Sequence, residues 1–120
     1  MAAPVHLTVP ADPAYVVVLR AATAAAASRA GFGLDQIEDL RLAVDELAAL
    51  ALVEPAAAEP LQLSLEVVDS GLLLRLRFGG SALPEDGFAW MVLGSLASSV
   101  NQEAGDGHVT VTLRAVGQNE

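Results

Sequence analysis

Residues 61–78 read LQLSLEVVDSGLLLRLRF, and their alternation decides the fold class. Leu61, Leu63, Leu65 and Val67 alternate with Gln62, Ser64, Glu66 and Val68, the period of two of a strand with one face in a core. Asp69-Ser70-Gly71 reads as a three-residue turn in which the glycine supplies a positive φ. The second arm puts Leu72, Leu74, Leu76 and Phe78 on one face, with Arg75 and Arg77 opposite, and Gly79-Gly80 ends it. Such a hairpin needs a second layer over its apolar face.

The sequence on either side supplies that layer. Upstream, Asp35 and Glu38 read as a capping box, and Ile37, Leu40, Val44, Leu47 and Ala51 recur at helical spacing until the approach to Pro55. Residues 54–60 then form a short connection. Further upstream, Asp12 caps a helix with Pro13 at its first position; it runs to about Ala30, and Gly31 closes it. Tyr15, Leu19, Ala22, Ala26 and Ala30 are the expected core stripe of this helix. Val5 to Val9 alternates as a short strand stopped by Pro10. Downstream, Asp86 is expected to cap a third helix carrying Trp90, Leu93, Ala97 and Val100, followed by a polar turn over residues 101–107. Val109, Val111 and Leu113 make the last strand. The expected order is β-α-α-β-β-α-β: one α+β domain over residues 1–120, a two-layer sandwich with helices on one face of a mostly antiparallel sheet.

Composition bounds the function. The chain has 120 residues, 53% hydrophobic and 18% charged, which suits a single core and excludes a disordered segment. Six arginines and no lysine stand against fifteen acids, a net charge of −9, so direct nucleic-acid binding is disfavoured and a basic protein is the natural partner. The absence of cysteine removes disulfides, thiolate metal sites and thiol catalysis. The N-terminal residues lack the pattern of a secretory signal, and residues 14–30, the longest apolar stretch, are interrupted by Arg20 and Arg29. A cytoplasmic location without membrane contact is expected.

Few residues invite chemistry on their own. His6 and His108 lie in alternating strands with no further ligand at metal-binding spacing, and read as ordinary strand residues. Ser95, Ser98 and Ser99 lack the elbow of a nucleophilic serine. Gly79-Gly80 without a following lysine reads as a turn before it reads as a phosphate loop. Asp45 and Glu46 stand mid-helix, with Glu46 between Leu42 and Leu50 and off the core stripe, where an acid is ordinarily solvated.

Those two acids carry a resemblance. The strand Val5–Val9, the Ala11-Asp12-Pro13-x-Tyr15 helix start and Asp39-Leu40-Arg41-Leu42-Ala43-Val44-Asp45-Glu46 resemble the anti-sigma-factor serine kinases of the RsbW and SpoIIAB type, which have the GHKL (Bergerat, histidine-kinase-like) ATPase fold. The likeness continues through residues 87–93 and the closing strand, and rests on the collinear series and not on an intact motif. It implies a Glu and, four residues on, a magnesium-binding Asn; Glu46 matches the first, whereas Leu50 offers no oxygen to a hard cation. It implies an adenine-binding Asp in Asp-x-Gly-x-Gly, where this chain has Phe78-Gly79-Gly80-Ser81-Ala82. It implies a Gly-x-Gly beside the phosphates, here Gly87-Phe88-Ala89, and a nucleotide lid for which only six residues remain between Gly80 and Gly87.

The resemblance with these departures implies a non-enzymatic regulator of transcription and stress response. It would bind a sigma factor, an anti-anti-sigma (STAS) protein or both, as a homodimer, with no cofactor, no metal and no catalytic residue beyond the motif match at Glu46. Val16, Arg20 and Thr23 on the first helix are the expected partner-binding residues, Arg20 matching an arginine by which the family contacts partners. Two other readings stay open: an active ATP-dependent serine kinase using Glu46 as base through an atypical site, and a structural dimerisation module.

Overall fold

The computed structural model describes residues 3–53, 59–69 and 71–117. Its elements are β1 (Val5–Val9), α1 (Val16–Arg29), α2 (Leu34–Ala51), β2 (Leu61–Val68), β3 (Gly71–Gly79), α3 (Phe88–Leu96), β4 (Ser99–Gly105) and β5 (His108–Val116). The connection expected over 54–60 falls largely outside the described residues. Among the described residues the five strands form one sheet in the order β1-β2-β3-β5-β4, every neighbouring pair antiparallel. The expected α+β two-layer architecture is present.

The alternation of residues 61–78 sets the inner face. Leu61, Leu63 and Leu65 on β2, Leu72, Leu74, Leu76 and Phe78 on β3, and Val109, Val111 and Leu113 on β5 are all buried. They meet Leu40, Ala43, Val44, Leu47, Ala48 and Ala51 from α2, the stripe expected there with its alanine neighbours added. Burying a leucine or phenylalanine contributes about 1.5–3 kcal/mol relative to exposure, so these rows hold the two layers together.

The first helix is rotated from its expected phase. Asp12 accepts a hydrogen bond from the Ala14 N–H at 2.9 Å as expected, but Pro13–Tyr15 forms a 3₁₀ turn before α1 begins. Leu19, Thr23 and Ala27 are the buried residues, while Tyr15 is exposed and Ala22, Ala26 and Ala30 are half-buried. Valine and alanine occur all round α1, so hydrophobicity alone fixes no face. The helix closes with the Gly31 N–H on the Ser28 carbonyl and the Phe32 N–H on the Ala27 carbonyl, a Schellman arrangement.

Three turn readings are corrected. Gly33, not Asp35, is the N-cap of α2, and Gly87, not Asp86, that of α3; both are extended, and neither helix has a side-chain cap. Asp35 lies inside the first turn of α2, where its charge suits the helix dipole. In the hairpin the positive φ falls on Asp69, at 49°, and Gly71 belongs to β3, paired with Val68. The glycine is needed for close approach: a Cβ there would lie 2.5 Å from the Ala115 carbonyl oxygen on β5.

The largest correction is β4. The third helix, expected to reach Val100, ends at Leu96, Ala97 is already extended, and residues 99–105, which include most of the polar turn expected over 101–107, form an edge strand on β5. Asp106 and Gly107 take φ values of 56° and 80° and join the two strands in a two-residue turn of the kind that needs positive φ at both positions. The order is therefore β-α-α-β-β-α-β-β.

Gly71→Ala is expected to destabilise the protein by about 1–3 kcal/mol, because β3 and β5 must separate to admit the methyl group. Urea denaturation checks this; an unchanged midpoint contradicts it.

Candidate functional site

Glu46 and Leu50 lie at i and i+4 on α2 and share a face. Glu46 is half-buried, and Leu50 packs against the core. At the end of β3, Phe78 is 1% exposed and completes the inward row, so its ring is core material. The Gly80 N–H donates to the Gly107 carbonyl at 2.9 Å, tying the end of β3 to the β4–β5 turn.

The short stretch between Gly80 and α3 is held by one side chain. Gln102 on β4 lies opposite inward-facing Val111, so its amide is on the helix side of the sheet. Its Oε1 accepts from the Leu83 N–H at 2.9 Å, and its Nε2 donates to the Leu83 carbonyl at 2.8 Å and to a Glu85 carboxylate oxygen at 2.7 Å. Both backbone groups of Leu83 are thereby satisfied by a single amide. Because Gln102 falls in the segment expected as a turn, sequence reasoning missed it.

The partner-binding residues expected on α1 separate. Thr23, expected among the partner-binding residues, is fully buried and its hydroxyl donates back to the Leu19 carbonyl at 2.9 Å, so its side chain belongs to the core and not to the surface of α1. Val16 is half-buried against the core. Arg20 is half-exposed and its Nε donates to Asp45 Oδ1 at 2.9 Å, joining α1 to α2. That hydrogen bond uses Nε, which leaves the Nη donors of the guanidinium for a second carboxylate. Val17 precedes Arg20 by three residues and Leu42 precedes Asp45 by three, so each neighbours its charge on the helix surface. They are 55% and 49% exposed. Arg20 and Asp45 thus form a half-exposed ion pair with exposed aliphatic neighbours on their own helices, an arrangement that the misplaced stripe of α1 concealed.

Elsewhere His108, Ser95 and Ser98 make local contacts, and among the described residues Arg41 Nε is buried without a hydrogen-bond partner. His6 faces out of β1, and His108 has Nε2 at 3.3 Å from a Glu59 carboxylate oxygen and Nδ1 at 3.1 Å from the Asp106 carbonyl. Ser95 donates to the Val92 carbonyl, and Ser98 accepts from the Val116 N–H. Among the described residues no group of three or more histidines, cysteines or acids is placed to hold a metal ion, and no helix is long and apolar enough to cross a membrane.

Similarity to known proteins follows the same lines. A stretch of 42 residues, 35% of this chain, is 45% identical to the serine-protein kinase RsbW of Bacillus subtilis (strain 168). Over 96% of its length the chain matches the crystal structure of the RsbU and RsbW domains of Rv1364c from Mycobacterium tuberculosis, with a TM-score of 0.77 and 18% identity. The chain therefore shares the fold of that structure, and its sequence likeness to RsbW lies in those 42 residues. No family model matches the chain. The matches span 26% of the Bacillus protein and 32% of the mycobacterial chain.

On this RsbW-like frame, the side chains at the positions assigned by resemblance do not fit a magnesium nucleotide. Leu50 supplies no oxygen for the cation, the Phe78 ring is in the core and accepts no hydrogen bond, and Ala89 carries a Cβ where a glycine is implied.

Gln102→Ala is expected to leave the Leu83 N–H and C=O without their partner and to speed amide exchange at Leu83 about tenfold, the equivalent of about 1.4 kcal/mol. Exchange at the wild-type rate contradicts the clamp.

Proposed function

We propose that this chain regulates a sigma factor by binding, without phosphoryl transfer, and that its nucleotide site has been given over to the core. The observation that carries this reading is the replacement of the donor set: Leu50 follows Glu46 by one helical turn, and Phe78 is buried. Phosphoryl transfer depends on positioning and charge stabilisation, and neither residue offers either. The acidic balance of −9 favours attraction to the basic surface that a sigma factor uses to engage DNA and polymerase.

The recognition surface in this reading is centred on Arg20 and Asp45, with Val17 and Leu42 as flanking apolar contacts in place of Thr23. The partner is a sigma factor, an anti-anti-sigma (STAS) protein or both, and the assembly is a cytoplasmic homodimer. A second reading, an active serine kinase with Glu46 as base, is favoured by the 45% identity to a protein named as a serine-protein kinase. The two part at the product: a kinase transfers phosphate to a serine of its partner, and a binding regulator leaves the partner's mass unchanged.

Affinity capture with purified sigma-factor and STAS candidates is expected to retain a partner equally well with and without ATP, and the partner's mass is expected to be unchanged after incubation with ATP and magnesium. Arg20→Ala is expected to weaken capture at least tenfold, a loss of about 1.4 kcal/mol or more, with circular dichroism unchanged. Wild-type affinity in Arg20→Ala, or a phosphorylated partner, contradicts the proposal. Light scattering is expected to give twice the 12.3 kDa chain mass; a monomer removes the homodimer.

A further inference from the structure

The outward face of the sheet differs in charge from the rest of the chain. Strand alternation places Arg75 and Arg77 of β3 and Arg114 of β5 on the side away from the helices, opposite in sense to the buried rows. Three of the six arginines thus share this face with two strand acids, Glu66 and Glu103, and with Glu59 at its rim near Arg77, while the other three share the rest of the chain with the remaining twelve acids. Both histidines also project here, His108 at the rim beside Glu59.

Arg75 and Arg77 stand side by side in the middle of this face. Across the register Arg75 is flanked by Ser64 and Thr112, and Arg77 by Gln62 and Thr110, all of them uncharged hydrogen-bonding side chains. These side chains are shorter than the arginines, and an open trough of about 530 Å³ runs over β1, β2, β3 and β5 with both guanidinium groups lining it. Glu66 approaches Arg75 only to 3.9 Å, and among the described residues Arg77 has no ion-pair partner.

We propose that this trough docks an acidic segment of a partner protein in extended conformation, with acids at alternate positions. Residues i and i+2 of a strand are about 6.6 Å apart, so an acid-x-acid segment running along β3 repeats at the spacing of Arg75 and Arg77. The hydroxyl and amide groups between them supply further donors to carboxylate oxygens. The acids of the helix layer do not cancel this attraction: the molecule is at least 25 Å across, and at 0.15 M salt exposed charges are screened beyond about 8 Å. A second copy stacked with Arg75 and Arg77 facing their own counterparts would bring like charges together, and the oligomeric mass separates that occupant from an acidic segment.

The test uses a fluorescein-labelled ten-residue peptide of alternating glutamate and threonine, titrated with the full chain at 0.15 M salt. Binding is expected to weaken at least tenfold in the double variant Arg75→Ala/Arg77→Ala, to recover in part in Arg75→Lys/Arg77→Lys, and to be unchanged in Arg29→Ala, which alters an exposed arginine of the helix layer. In wild-type protein the peptide is expected to shift the amide signals of Ser64, Arg77 and Thr110. A peptide of the same composition with its glutamates contiguous is expected to bind more weakly. The proposal is overturned if the alternating peptide fails to bind wild-type protein, if the contiguous one binds as tightly, or if the shifted signals lie on α1 and α2. It is equally overturned if the double variant changes only the oligomeric mass and leaves peptide affinity intact.

Discussion

The inward row of β3, Leu72, Leu74, Leu76 and Phe78, is the constraint on which the other elements depend. Strand β3 is paired along its length with β2 on one side and β5 on the other, so its side chains are the middle of the surface that the helices must cover. Gly71 brings β3 close to Ala115 at one end, and Gly80 is bonded to Gly107 at the other. Phe78 links stability to function, since it stands where the resemblance assigns an adenine acceptor. A carboxylate at that position would bring a charge into a site of 1% exposure, at a cost of several kcal/mol. The core and an adenine-binding acid compete for one position, and in this chain the core holds it.

What the sequence disclosed depended on contrast between faces. β1, β2, β3 and β5 alternate apolar with polar residues and were legible almost to their ends. The stripe of α2 was legible for the same reason, because acids separate its buried leucines. In α1 the contrast is missing; small and branched apolar residues surround the helix, and the buried position of Thr23 depends on its bond to the Leu19 carbonyl. β4 is an edge strand of mostly exposed, polar residues, so it carries no hydrophobic alternation of its own. Its one signal was Asp106-Gly107, a dipeptide suited to a two-residue hairpin and followed by a clear strand.

The candidate site was legible as a list of motif departures and illegible as a surface. Leu50, Phe78 and Ala89 could be set against a pattern by position alone. The contacts of Arg20 and Gln102 could not, since each joins elements distant in sequence: α1 to α2 through Asp45, and β4 to the segment before α3 through Leu83. The division of charge between the two faces likewise emerges only once the strands are in register. Of the helices only α2 is acidic, with five acids against Arg41, whereas three of the six arginines lie on the outer sheet face, so acids and arginines are concentrated on opposite layers of the domain.

The central claim, that an RsbW-like fold has exchanged nucleotide binding for core packing, is tested most directly by the melting temperature of the chain in millimolar ATP with magnesium. A ligand at one hundred times its dissociation constant stabilises the folded state by about 2.7 kcal/mol, which moves the transition of a domain this size by several degrees. The expected result is no shift relative to buffer with magnesium alone. A reproducible rise of several degrees, growing with ATP concentration, contradicts it.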